Sequence, residues 1–270
     1  MSATATIPKR IIQTGKTHQL TLLEQSALAA LTALNPDFER IYFSDEDVIE
    51  FIDREFPEYR AVFDGFRFNI QKYDFFRYLA VYRLGGFYFD LDVFLARSIS
   101  DLTEHGCVFP FEELTISRYL RETHRLDWEI GNYAFGAAPS HPFIGAIIEN
   151  CVRTQQDPDW VKPMMRDIPP FCRAGFEVLN STGPGMITRT LAESPGPARN
   201  VRVLFPDDVC DDRFWHKFGD YGVHLMAASW RGRGSYLRRK FTLLWESRRR
   251  RRALAESQKR GGQRMHPPAT

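Results

Sequence analysis

Asp90-Leu91-Asp92 leaves the apolar run Phe87-Tyr88-Phe89. In an extended chain residues i and i+2 point the same way, so the two carboxylates would converge while Leu91 faces the core. Such a pair suits a hard divalent cation. Mg²⁺ or Mn²⁺ bound by one or two carboxylates keeps open positions for diphosphate oxygens and neutralises the charge growing on a departing nucleotide. The plainer reading is a pair of solvated turn residues. Upstream, Asp74 and Arg77 stand three positions apart and share one face of a helix. An arginine there could bind a phosphate or a sugar hydroxyl, and an aspartate could accept hydrogen bonds from sugar hydroxyls. The same spacing also describes an intrahelical ion pair contributing roughly a few tenths of a kcal/mol.

The elements that must position these residues follow from the hydrophobic pattern. Ile7 to Gln13 reads as a buried opening strand, and Thr21 to Leu34 has apolar residues at helical spacing before the turn Asn35-Pro36-Asp37. Phe38 to Phe43 reads as a second strand. Ser44 followed by Asp47 is an aspartate variant of the capping box, opening a helix that Pro57 ends or restarts. Ile70 to Leu84 is a third helix with Ile70, Tyr73, Phe76, Ala80 and Leu84 on one face, and Gly85-Gly86 stops it. Phe87 to Phe89 is then a short strand. This alternation predicts an open α/β sheet with ligands beyond the carboxyl ends of its strands, where Asp90 falls. From Asp101 to Thr182 the chain is less periodic and no topology is predicted.

The strings Lys72-Tyr73-Asp74-Phe75-Phe76-Arg77-Tyr78 and Leu84-Gly85-Gly86-Phe87-Tyr88-Phe89-Asp90-Leu91-Asp92 resemble the DXD-containing sugar transferases of glycosyltransferase family 32, related to yeast α-mannosyltransferases, bacterial capsular polysaccharide transferases and clostridial glucosylating toxins. Ile7-Pro8-Lys9-Arg10-Ile11-Ile12-Gln13 looks like the family's first strand and Asn35-Pro36-Asp37 like its approach to the second. Thr182-Gly183-Pro184 and His224 through Ser229-Trp230 look like its C-terminal signatures.

The resemblance implies a GT-A fold, an open mixed sheet flanked by helices, together with a nucleotide diphosphate sugar donor, Mn²⁺ or Mg²⁺, and retention of anomeric configuration. Asp74 and Arg77 would match the sugar-contacting pair, Asp90 and Asp92 the metal and diphosphate motif, and His224 a third metal ligand. Gln13 and Asn132 become candidate donor contacts, and the Gly183-Pro184-Gly185 turn could line the pocket or be ordinary turn chemistry. His224 on its own would read as a hydrogen-bonded core histidine. One departure stands out: Thr14-Gly15 follows Gln13 where many members have Trp, which removes a stacking platform for the base. The expected reaction moves a sugar to a saccharide or glycolipid acceptor, in capsule or other surface polysaccharide synthesis. The alternatives are a phosphohydrolase of the haloacid dehalogenase type, against which Phe94 stands where Thr or Val is expected, and a non-catalytic carbohydrate-binding protein on the same fold.

With 270 residues and 43% hydrophobic residues the chain can bury a substantial core, so one globular domain is expected over 1–230. No run of about 18 apolar residues occurs and Met1 to Ile7 lacks the order of a secretory signal, which points to a cytoplasmic protein. Cys107, Cys151, Cys172 and Cys210 have no CxxC spacing and read as structural thiols. Residues 231–270 hold 13 Lys and Arg against 2 Asp and Glu, whereas 1–230 hold 23 against 32. Leu237, Phe241, Leu244 and Trp245 fall at helical spacing within that basic segment. It reads either as an interfacial helix on the cytoplasmic face of an anionic membrane, or as a helix packed on the domain before a disordered basic end. No basic groove or recognition motif suggests nucleic acid, and no Gly-x-Gly-x-x-Gly or P-loop is present.

Overall fold

The computed structural model describes residues 6–226 and 236–259. The first strand is β1 (Arg10–Thr14). It opens three residues later than the pattern suggests, because Arg10 N–H turns back to the Pro8 carbonyl at 2.7 Å and Ile7 N–H goes to Thr103. Helix α1 (Leu22–Leu34) starts at a Thr21–Glu24 capping box. Strand β2 (Glu39–Phe43) runs parallel to β1, with Arg10 opposite Glu39 and Thr14 opposite Phe43. The Ser44–Asp47 capping box forms as read from the sequence and starts α2 (Asp45–Glu55), which closes before Pro57. After α3 (Arg60–Gly65) comes α4 (Asn69–Leu84). Its apolar residues were expected on one face, yet Phe75, Phe76, Tyr78, Leu79, Ala80 and Val81 are all buried. A helix covered on every side is apolar all round except where function places polar groups.

Gly85 and Gly86 end that helix with φ of 64° and 112°. A Cβ on Gly86 would lie 2.6 Å from the Arg10 carbonyl oxygen, so only glycine lets β3 (Gly86–Phe89) enter the sheet parallel to β1. Phe87 and Phe89 face one core with Ile7 and Ile11, while Tyr88 faces the other with Ile12, as the pleat requires. The remaining elements are β4 (Val93–Leu95), β5 (Cys107–Leu114), α5 (Arg118–His124), β6 (Trp128–Ile130), β7 (Ala134–Ala137), α6 (Pro142–Gln156), α7 (Lys162–Met165), α8 (Arg173–Ser181), α9 (Pro184–Glu193), β8 (Val201–Leu204), β9 (Lys217–Phe218), β10 (Gly222–His224) and α10 (Tyr236–Lys259).

The main sheet has the order β2-β1-β3-β7-β5-β6, with β8 paired to β5. Pairs β1–β2, β1–β3 and β5–β8 are parallel, and β3–β7, β5–β7 and β5–β6 are antiparallel. This is an α/β architecture, an open mixed sheet flanked by helices. Strands β5 and β7 escaped the periodicity reading because both their faces are covered, which erases the alternation a half-exposed strand would show. A small antiparallel sheet, β4-β10-β9, lies beside the end of β3 and carries His224.

Helix α10 lies against the body of the protein. Trp245 meets Phe176 edge-on at 5.5 Å, Arg250 reaches Glu113 at 2.7 Å and Arg121 reaches Glu256 at 3.1 Å. Leu244 points outward, 44% exposed. The side chains of Leu237 and Phe241, and the Ser229-Trp230 signature, lie outside the described residues. No described helix is long and apolar enough to cross a membrane.

Candidate active site

Asp74 and Arg77 lie on α4 and are each 4% exposed. Charged groups are buried this deeply only when paired, and here the pairing draws in four segments of the chain. Arg77 Nη2 lies 3.1 Å from Asp74 Oδ1, and Arg77 Nη1 lies 3.3 Å from Asp90 Oδ1 and donates to the Asn132 carbonyl at 2.8 Å. Its guanidinium also sits 4.7 Å from the Tyr88 ring centroid. Asp74 accepts from Asn132 Nδ2 at 3.1 Å and from the Thr182 hydroxyl at 2.9 Å. The Asp74–Arg77 pair is therefore an intrahelical ion pair, but a buried one, so the small energy of an exposed pair does not describe it.

Electrostatics follow from this burial. Desolvation pushes the Asp74 carboxyl up to about 6, against the pull of Arg77 and the Thr182 hydrogen bond. Burial works against the Arg77 charge, and Asp90, Tyr88 and Asp74 together more than offset it, so Arg77 is held above its usual value and stays cationic. The Tyr88 hydroxyl donates to Asp90 Oδ1 at 2.8 Å, bringing that oxygen under both a phenol and a guanidinium.

Asp90 and Asp92 converge as expected but by a different geometry. The extended chain ends at Phe89, and Val93 N–H closes back on the Asp90 carbonyl at 3.1 Å, so the two carboxylates are brought together by a turn instead of a pleat. Leu91, at the tip of that turn, is only half-buried and does not enter the core. Asp90 N–H is fixed by the Tyr133 carbonyl at 2.7 Å, which ties the turn to the segment before β7.

His224 completes the group. It pairs in register with Val93 across β10 and β4, which sets its imidazole Nε2 3.3 Å from Asp92 Oδ1. Leu225 N–H donates to the Asp92 carbonyl at 3.1 Å, and the ring stacks on Tyr133 at 4.4 Å with 18° between planes. One oxygen of Asp90, one of Asp92 and one nitrogen of His224 all lie within 4.8 Å of one another. Two carboxylates and an imidazole on a partly open surface form a donor set that fits Mn²⁺ or Mg²⁺. Side-chain exposures of 26% for Asp90, 16% for Asp92 and 17% for His224, against 6% for Asp74 and 5% for Arg77, put the arginine–aspartate pair beneath the metal-binding layer.

The other expected residues divide. Asn132 joins the network through both its carbonyl and its amide. Gln13 is buried on β1 and accepts from Arg40 Nε at 3.2 Å; no contact ties it to Asp74, Arg77 or Asp90. Its neighbour Thr14 reaches the network instead, with its hydroxyl 3.0 Å from that of Tyr88. Gly183-Pro184-Gly185 opens α9, and Thr182 just before it is the residue that touches Asp74.

Tyr88 and Thr182 fall within the strings that carry the family resemblance without being candidate site residues, and Tyr133 has no signal in the sequence. Tyr88 had a signal, since a residue two before Asp90 on a strand shares its face. A second polar cluster, Glu112, Glu113, Glu129 and His216, had none. Burial pushes the Glu129 carboxyl up to about 7 and raises Glu113, while His216 beside Glu112 outweighs burial and holds that carboxyl below its usual range.

Residues 23–109 match the family described as glycosyltransferase sugar-binding region containing DXD motif. That span includes Asp74, Arg77, Asp90 and Asp92, so the candidate residues on α4 and after β3 fall within the stretch similar to that family. Inositol phosphoceramide mannosyltransferase 3 of Schizosaccharomyces pombe is 32% identical over 149 residues, covering 55% of this chain and 38% of that protein. Inositol phosphoceramide mannosyltransferase 2 of the same organism is 28% identical over 244 residues, covering 84% of this chain and 63% of its own length. Among solved structures, the PaToxG glycosyltransferase superposes with a TM-score of 0.48 at 17% identity, over 93% of this chain and 79% of that one.

Proposed function

We propose that this chain is a metal-dependent, retaining glycosyltransferase that moves a sugar from a nucleotide diphosphate sugar to a saccharide or glycolipid acceptor. The observation that carries the reading is the convergence of Asp90, Asp92 and His224 donor atoms within 4.8 Å, directly above a buried Arg77–Asp74 pair. A Mn²⁺ or Mg²⁺ bound there supplies a Lewis acid for the donor diphosphate and for the charge of the departing nucleotide. Asp90, Asp92 and His224 would hold the cation. Arg77, pinned by Asp74, Asp90 and the Asn132 carbonyl, adds a fixed positive charge at the floor of the site that needs no reorganisation during reaction. Asp74 keeps that guanidinium aimed and is the group through which sugar hydroxyls would be read.

Both named fungal relatives are inositol phosphoceramide mannosyltransferases. They favour mannose as the sugar and a glycolipid acceptor over a capsular polysaccharide. A peripheral position on a membrane suits such an acceptor, and the outward Leu244, Arg248, Arg251 and Arg252 of α10 supply the apolar and basic groups that an anionic surface attracts.

The test is release of nucleoside diphosphate from a panel of nucleotide sugars, in Mn²⁺ and in excess chelator. One donor should be cleaved only with metal, and Asp92→Asn should lose most of that activity while regaining part of it at high metal. Cleavage unaffected by chelator overturns the metal reading. Phosphoester hydrolysis stopped by Asp90→Asn at any metal concentration would favour the phosphohydrolase instead. Sugar binding with no turnover would favour a non-catalytic protein.

A further inference from the structure

Helix α10 reaches the metal-binding end of the sheet through Arg250. Arg250 Nε lies 2.7 Å from Glu113 Oε2, and the same oxygen lies 3.7 Å from His216 Nε2. The other imidazole nitrogen, His216 Nδ1, lies 3.0 Å from Glu112 Oε1. Consecutive residues of a regular strand face opposite ways, but the β5–β6 register shifts between Phe111 and Glu113, and this irregularity lets Glu112 and Glu113 grip one ring from both sides.

His216 is in turn bound to the metal-ligand strand. Its N–H donates to the Glu112 carbonyl at 3.0 Å, and its own carbonyl accepts from His224 N–H at 3.1 Å. Its φ of 57° is left-handed, a conformation a non-glycine residue keeps only where the surroundings impose it. Strand β10 is paired to β4 on one side, and on the other the β9–β10 hairpin sets Gly222 opposite Phe218 and Val223 opposite Lys217, with the His216 carbonyl extending that side to His224. Glu112 Oε2 is buried without a hydrogen bond and crowds Gly131, where a Cβ would collide with both that oxygen and the Tyr133 ring on which His224 stacks. A continuous path therefore runs from Arg250 through Glu113, His216 and Glu112 to His224.

We propose that Arg250 and Glu112 are positioning residues for His224, which makes α10 a working part of the metal site. The inference rests on the metal reading above. Without Arg250 the carboxylates of Glu112, Glu113 and Glu129 lose a neighbouring cation, like charges separate, and the grip on His216 loosens. His224 then no longer stands ready opposite Asp90 and Asp92.

The experiment is direct Mn²⁺ binding to the full chain, followed by the electron paramagnetic resonance signal of free Mn²⁺. Arg250→Ala should weaken binding by about tenfold or more, within the range that outer-shell partners command. Arg250→Lys should recover part of the loss, and Arg248→Ala, on the outward face, should bind as wild type. On a His224→Ala background, Arg250→Ala should cause no further weakening, because its effect passes through His224. Wild-type affinity in Arg250→Ala, or a full further loss on the His224→Ala background, overturns the inference. Should Arg250→Ala fail to melt cooperatively, Glu112→Gln carries the test, with the same weakening expected and wild-type affinity overturning it. A wild type with no saturable Mn²⁺ binding sinks the metal reading, and this inference with it.

Discussion

Two arginines support the two sides of the candidate site, and they are built in opposite ways. Arg77 is buried between Asp74, one helical turn away, and Asp90, which follows just past the end of the next strand. Arg250 is half-buried, comes from the last helix, and reaches Glu113 and the His216 ring across the fold. In its charged partners the first support is close in sequence and mostly buried; the second is long-range and partly wet. A local buried network cannot be loosened without disturbing the core around it, whereas a long-range, partly exposed one can shift while the core stays intact.

Chemical denaturation can break that contrast. Arg77→Met would leave two carboxylates close together and uncompensated in the interior, at a cost of about 3–5 kcal/mol. Arg250→Met removes a pair whose arginine side chain is 35% exposed, and after solvent screening should cost about 1–2 kcal/mol or less. Equal losses in the two variants would mean that the two supports do not differ in kind.

The same contrast decided what the sequence could reveal. The Asp74–Arg77 and Asp90–Asp92 spacings, the Ser44–Asp47 cap and the Gly85-Gly86 stop are all local, and the structure contains each of them. His224 was reached through family resemblance alone, because the register that sets it against Val93 joins residues far apart in the chain. Glu112, Glu113 and His216 left no local trace: their meeting depends on a strand irregularity and on a left-handed residue that no spacing encodes. Even the DXD pair converges by a geometry its spacing does not predict, since the turn at Leu91-Asp92 replaces the pleat.

A smaller effect sharpens the account of the local network. The folded Asp74 carboxyl is raised to about 6 from an ordinary 3.8, so between those values the folded protein binds a proton that the unfolded chain releases. This contribution to stability is fully present below about pH 4 and is lost as pH rises to about 6, amounting to on the order of 3 kcal/mol at most. The stability difference between wild type and Asp74→Asn should therefore shift against wild type over that window. Turnover should show the opposite trend, with an acid limb near pH 6 that Asp74→Asn removes while lowering the plateau at least tenfold, about 1.4 kcal/mol in the barrier. A stability difference that is flat from pH 4 to 6 would mean the Asp74 carboxyl stays ionised throughout.

The smallest expected effect on folding concerns the outer face of α10, and it separates the two sides of that helix. Trp245, Glu246, Arg250 and Ala253 face the protein, whereas Leu244, Arg248, Arg251 and Arg252 face away from it. Changing Arg248 and Arg251 together to alanine removes no contact that holds the helix down, since Trp245 still meets Phe176 and Arg250 still meets Glu113. Stability should move by less than about 0.5 kcal/mol. Binding to anionic vesicles should respond far more, because each basic residue near such a surface contributes about 1 kcal/mol, so the pair should cost roughly thirtyfold in partitioning at low salt. Raising the ionic strength should shrink the difference. Unchanged vesicle binding in the double variant would remove the membrane from the reading of this helix and leave its inner face as the part that matters.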